Sequence, residues 1–308
     1  MLKKILFYGF LTLFLGILLL LFIFSTADIP LETLKKKYAN EHSRFVQLSG
    51  VKMHYRIEGK GDTIVLLHGT AASLHTWDIW TEELKKNYTV VRLDLPAFGL
   101  TGADSAHRYD MESYVNTLHE FFQKINLKKC YLVGNSLGGR IAWQYAVRYP
   151  KEVQKLILID AAGYPSTRPR PWVFRLATIP ILNSIVRYVT PKFFFERNLK
   201  EVYGDDSQIN ETLLTRYYEL NLAEGNRAAF IARAKTPELD NSLLIKNIKC
   251  PTLIQWGDAD TWIPVENAQR FAKDIAQSEL KIYKGLGHVP MEENPLLTVK
   301  DAMLFLAK

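Results

Sequence analysis

The chain has 308 residues and 48% of them are apolar, enough to bury the core of one large domain with an insertion, or of two domains. Its formal charge of +7 is scattered, apart from Lys35-Lys36-Lys37, and no aromatic-basic stripe accompanies it, which argues against a nucleic-acid partner. No internal repeat is present. Cys130 and Cys250 lack the spacing of a metal site and read as small buried hydrophobes; no disulfide is demanded.

Lys3 and Lys4 precede an uncharged run from Ile5 to Phe24 made almost wholly of Leu, Phe and Ile. About 20 apolar residues cross the hydrocarbon of a bilayer, and the run exceeds the roughly 7–15 residues of a signal-peptide core. Residues 1–27 therefore read as a membrane anchor. The alternative is a cleaved signal, since Ser25-Thr26-Ala27 offers small residues at a cleavage position. Lys3 and Lys4 favour an amino terminus on the inside and an exported body, periplasmic if bacterial, whereas Lys35 to Lys37 pull the other way.

A polar helical spacer is expected over Leu31 to Ser43. Phe45 to Leu48 and Lys52 to Ile57 alternate around Ser49-Gly50 and predict a hairpin. Continuous apolar strands, the mark of a buried parallel sheet, are expected at Thr63–Gly69, Tyr88–Pro96, Cys130–Asn135 and Lys155–Asp160. Helices are expected at Trp77–Lys86, Tyr109–Ile125 and Leu137–Tyr149 between them. From Gly163 to about Lys235 the periodicity is helical with no convincing strand. Strands return at Pro251–Gly257 and Glu279–Gly285, and a last helix is expected at Leu296–Leu306. Alternation on both sides of a helical insert implies an α/β, doubly wound, mostly parallel sheet carrying a cap.

Gly134-Asn135-Ser136-Leu137-Gly138 fits G-x-S-x-G between a strand and a helix. A nucleophile elbow needs such a turn, with glycines where side chains would collide and the serine hydroxyl left exposed. A serine needs a base. His288, just after the last strand, shares the carboxyl edge of the sheet with Ser136. His42, His54, His107 and His119 fall on spacers, strands or helix faces, and His75 has no motif. The acid that orients the base is Asp258 or Asp260 in "WGDADTWIP", with Asp160 a third candidate; spacing does not choose among them. Backbone N–H groups of Leu137 and Thr70 are the expected oxyanion donors. His68 is read as a structural hydrogen-bonding residue beneath them.

From about Val51 onward the chain resembles the alpha/beta-hydrolase family, the cap least. The resemblance rests on "LLHGTAAS", "DLPAFGLTG", "VGNSLGGRIAWQYAVRYPKEVQKLILID", "IKCPTLIQWGDADTWIP" and "GLGHVPMEENP". It implies Asp260 as the acid, three residues after the Trp-Gly glycine. Ser136 argues against epoxide hydrolases and haloalkane dehalogenases, whose nucleophile is aspartate. Two branches look similar: membrane-anchored monoacylglycerol lipases and esterases, and meta-cleavage C–C bond hydrolases. The second usually have a glycine-rich run after His-Gly and a tryptophan after the histidine. Here Thr70-Ala71-Ala72-Ser73 and Val289 stand there.

The resemblance thus implies a serine hydrolase for acylglycerols or other lipid-derived esters, using Ser136, His288 and Asp260 and no metal or organic cofactor. Its partners would be the ester substrate and, through the anchor, a membrane; the oligomeric state is not legible. A C–C hydrolase, an aminopeptidase or a cofactor-free haloperoxidase on the same triad, and a binding protein without turnover, are the alternatives. The expected organisation is anchor 1–27, core 28–162, cap 163–236 and core 237–308. Trp172, Phe174 and Phe193-Phe194-Phe195 are read first as packing the cap on the core, with an acyl tunnel or a bilayer contact as the alternative. Arg168 and Arg170 need no special reason as exposed arginines, and lipid headgroups are their other reading.

Overall fold

The computed structural model describes residues 2–166 and 168–308. Helix α1 (Leu2–Ile23) holds the apolar run, and α2 (Leu31–Tyr38) follows. β1 (Ser43–Gln47) and β2 (Lys52–Gly59) form the antiparallel hairpin. Then come β3 (Thr63–Leu67), α3 (Asp78–Leu84), β4 (Thr89–Leu93), α4 (Met111–Lys124), β5 (Cys130–Asn135), α5 (Leu137–Arg148) and β6 (Val153–Ile159). Among the described residues, five α-helices follow without a strand: α6 (Trp172–Thr178), α7 (Leu182–Tyr188), α8 (Lys192–Val202), α9 (Glu211–Asn221) and α10 (Asn226–Lys235). β7 (Thr252–Gly257), α11 (Glu266–Asp274), β8 (Ser278–Tyr283), α12 (Pro290–Glu293) and α13 (Pro295–Leu306) close the chain.

The strands make one sheet in the order β1-β2-β4-β3-β5-β6-β7-β8, parallel from β4 to β8. Its central strands are apolar at successive positions because both faces are covered. Val65, Leu67, Leu132 and Leu158 meet Phe121, Trp143 and Ile141 on one face. Ile64, Leu66, Val133 and Ile157 meet Trp80, Val299 and Phe305 on the other. Caps fix helix starts locally: Asp110 accepts from Ser113 N at 2.9 Å for α4, and Asn210 does the same for α9.

Two features differ from the sequence reading. The expected polar spacer docks: Leu34 of α2 is buried with Leu100, Leu220 and Ala223. Helix α11 was not anticipated. Ala268, Phe271 and Ala272 carry its apolar face, too little periodicity to read, yet Phe271 packs on Trp256.

Ile157, fully buried in β6 between β5 and β7, tests this core. Ile157→Ala should cost about 2–5 kcal/mol, seen as a lower urea midpoint for the full chain in detergent micelles. A loss well below ~1 kcal/mol would mean that this face of the sheet is not close-packed.

Candidate active site

β5 ends at Asn135 and α5 begins at Leu137, so Ser136 makes the whole turn, at φ 53° and ψ −114°. Positive φ in a non-glycine residue is strained and persists only where its surroundings hold it. Ser136 N donates to Ile159 O at 3.1 Å, and Ser136 O accepts from Arg140 N at 3.0 Å and Ala162 N at 3.1 Å. The flanking glycines are required by close approach: a Cβ on Gly134 would lie 2.3 Å from Gly138 O, and one on Gly138 2.3 Å from Leu67 O.

His288 follows β8, as expected. Its Nδ1 lies 2.7 Å from Asp260 Oδ2, and Asp260 Oδ1 accepts from Trp262 N at 2.7 Å and Ile263 N at 2.9 Å. The carboxylate is thereby fixed in plane, the arrangement that holds a histidine in one tautomer. His288 Nε2 is buried without a hydrogen-bond partner among the described residues. Asn135 ties this loop to the elbow: its Nδ2 donates to His288 O at 3.0 Å and to Ile159 O at 3.1 Å.

The other two acid candidates separate clearly. Asp258 accepts from Gly285 N at 2.6 Å and serves a turn. Asp160 belongs to the buried cluster: ligand atoms of Asp160, Asp260 and His288 all lie within 4.8 Å of one another. Burial, then the charge of Asp260, pushes the Asp160 carboxyl well above the usual range. Its Oδ1 accepts from Gly257 N at 3.1 Å, while Oδ2 receives no donor among the described residues and is free to carry the proton. A cation could be matched to three such donors on distance alone. Here, however, Asp260 already accepts on both oxygens, from His288 and from two N–H groups, the pattern of a hydrogen-bonded pair.

The loop after β3 reaches the elbow: a Cβ on Gly69 would lie 3.1 Å from Ser136 Cβ. Thr70 and Leu137 line the same cleft as Ser136, and Leu137 N, in the first turn of α5, has no intrahelical acceptor. His68 lies beneath, fully buried. Its Nδ1 donates to Gly69 O at 2.7 Å, its Nε2 accepts from Leu95 N at 2.9 Å, and burial lowers its pKa, so a neutral ring pegs the loop. The remaining histidines serve elsewhere; His54, for one, pairs with buried Asp94 at 2.7 Å.

The cleft has two chambers that share Thr70, Phe174 and Trp262. One holds Ser136 with Arg140, Arg168, Arg170 and Arg233, partly offset by Glu238 and Asp240. The other is largely apolar, walled by Trp172, Leu176, Val186, Phe194, Phe195 and Phe230. Four of the five aromatic residues singled out in the insert thus line a cavity, and Phe193 faces outward.

Two acids that sequence reasoning quoted without assigning a role bind the insert to the histidine loop. Glu293 accepts from Gly287 N at 2.7 Å and Gly204 N at 2.8 Å. Glu292 accepts from the hydroxyls of Tyr203 and Tyr217, each at 2.6 Å, and from that of Thr76. Their position directly after His288 was the available signal.

The sheet, the elbow and the histidine loop define an alpha/beta hydrolase, and the chain belongs to that family: the family model described as "alpha/beta hydrolase fold" matches residues 62–295. Human monoacylglycerol lipase ABHD6 is 28% identical over 281 residues, 86% of this chain and 82% of the relative. The 2-hydroxy-6-oxo-2,4-heptadienoate hydrolase of Pseudomonas putida is 26% identical over 269 residues, 82% and 92% of the two chains. Among solved structures, a membrane phospholipase A described as a bacterial virulence factor superposes with a TM-score of 0.73 at 27% identity, over 99% of this chain and 98% of that one.

Asp160 gives a pH test. A carboxyl whose pKa the fold raises adds stability below its unfolded value of about 3.9 and loses it as pH rises through the folded value. Asp160→Asn keeps an acceptor for Gly257 N and has no proton to lose. The melting temperature of the variant relative to wild type should therefore climb as the pH rises above about 4, until Asp160 has ionised in the fold. Parallel curves would mean that Asp160 ionises as readily in the fold as out of it.

Proposed function

We propose that this chain is a serine ester hydrolase, held at a membrane by α1 and acting on acylglycerols or other lipid-derived esters. The observation that carries the reading is the link from the strained Ser136 through Asn135 to the Asp260–His288 pair, beside a small, largely apolar chamber. Ser136 Oγ attacks the ester carbonyl while His288 Nε2 takes its proton. Asp260 orients the ring and stabilises the imidazolium, and the N–H groups of Thr70 and Leu137 receive the oxyanion. Collapse expels the alcohol, which takes the proton back from His288. Water then repeats the sequence on the acyl-enzyme and frees the acid.

Residues 163–236 act as the cap that shapes the acyl chamber, and 28–162 with 237–308 form the core. The 22 residues of α1 give a helix about 33 Å long, enough for a hydrocarbon layer of about 30 Å. We assign it as a single anchor with the body on the extracytoplasmic side. The names of the relatives, a monoacylglycerol lipase and a membrane phospholipase A, support a lipid-derived ester. The Pseudomonas relative keeps C–C hydrolysis as the rival.

With p-nitrophenyl butyrate and a monoacylglycerol as substrates, Ser136→Ala should lower kcat by about 10⁴-fold or more. Asp260→Asn should cost about 10⁴-fold and Asp258→Asn less than about twofold. If the folded wild type cleaves neither ester but does cleave 2-hydroxy-6-oxo-2,4-heptadienoate, the assignment passes to C–C hydrolysis.

A further inference from the structure

The chamber that holds Ser136 is much the larger of the two, with a cavity volume of about 440 Å³ against about 70 Å³ in the apolar one. The apolar chamber takes a short acyl tail, and the rest of an ester then lies among the arginines of the other. Their charge is not balanced. Arg140, Arg168, Arg170 and Arg233 share the chamber with two acids, Glu238 and Asp240. Asp240 already serves a turn, accepting from Ser242 N at 2.9 Å.

Arg140 and Arg233 are 8% and 7% exposed, so their charges are largely removed from water. Arg140 Nη1 donates to Glu238 Oε2 at 2.6 Å and its Nη2 to Leu239 O at 2.8 Å, while Arg233 Nη1 stands 3.6 Å from Glu238 Oε1. Arg170 Nη1 donates to Ala234 O at 3.4 Å. The Nε groups of Arg140 and Arg233 have no acceptor among the described residues. Burial would raise the Glu238 carboxyl, yet Arg140, Arg233 and Arg170 hold it below its usual range. One carboxylate thus serves three guanidiniums. A buried guanidinium without a full counter-charge is costly, and an oxyanion brought into the chamber offsets that cost.

The cluster is also placed for the chemistry. Arg140 lies four residues after Ser136, one turn along α5, and its N donates to Ser136 O at 3.0 Å. Side chains at that spacing project from the same side of a helix, and both line the one chamber. A planar guanidinium grips phosphate or carboxylate through two parallel N–H bonds, which an ammonium group does not offer.

We infer that Arg140, with Arg170 and Arg233, forms a subsite for an oxyanion on the alcohol part of the ester, so that the preferred substrate is a short acyl ester of an alcohol bearing phosphate or carboxylate. This rests on the esterase reading of Ser136 and adds to it the charge of the substrate.

The test uses the full-length chain in detergent micelles and four butyryl esters: those of glycerol, glycerol 3-phosphate, 3-hydroxypropanoate and choline. For one or both anionic esters kcat/KM should exceed that of the glycerol ester by at least about tenfold, and the choline ester should fall below it. A preference for one anionic ester alone identifies the group that the subsite takes. In Arg140→Gln the ratio of anionic to glycerol ester should drop about tenfold, chiefly through KM, and Arg140→Lys should restore part of it. A purely structural loss lowers all four esters alike and leaves the ratio where it was, which counts against the subsite. Arg170 is exposed, so Arg170→Gln should fold even if Arg140→Gln does not, and it should lower the same ratio. Equal rates on the glycerol and anionic esters, or an anionic preference that survives both substitutions, overturn the subsite and leave the esterase standing. If none of the four esters is cleaved, the esterase reading fails and the subsite with it.

Discussion

Holding Ser136 at positive φ costs of order 1–3 kcal/mol, and much of the surrounding chain is arranged to sustain that one turn. The parallel strands bring Leu67 O and Ile159 O to the positions where the elbow packs and bonds. Glycines at 134 and 138 let backbone lie where a side chain would not fit, and Gly69 lets the next loop press on the serine itself. The apolar monotony of the central strands and the strain at their end are two aspects of one design.

Beside the turn, the chain buries several carboxyls around a single loop. Burial pushes the Asp160, Glu292 and Glu293 carboxyls upward, while hydrogen bonds to Glu292 and Glu293 partly restrain theirs. Asp260 is satisfied by donors on both oxygens. The result is one carboxylate fixed against His288 and a neighbour that favours its proton. A second full negative charge so near the first would be paid in electrostatic repulsion within a medium of low dielectric.

Much of this was legible in the sequence because the relevant signals are local. The elbow is five residues with a strand before and a helix after, and the buried strands announce themselves by continuous apolar runs. Asp258 and Asp260 are two residues apart in a loop, where periodicity carries no information; the family resemblance implied Asp260, and the fold places Asp258 on Gly285 and Asp260 on His288. Helix α11 escaped notice because one Phe and two Ala suffice to dock it. The docking of α2 depends on Leu100 and Leu220, distant in sequence. Asn135 was visible as the variable residue of the motif, but its bond to His288 O spans 153 positions.

The two halves of the insert are held very differently. Val202 O accepts from His288 N at 2.7 Å, and Tyr203, Gly204 and Tyr217 close on Glu292 and Glu293, so α8 and α9 are tied to the histidine loop itself. Among the described residues α6 and α7 make no hydrogen bond to that loop; they pack on each other and on α10, and Phe174 of α6 meets Trp262 edge-on at 6.0 Å. The first two helices of the insert are thus less firmly bound to the histidine loop than the next two. A substitution at the α8–α9 ties therefore reaches the chamber wall, through Phe194 and Phe195, and the histidine loop together.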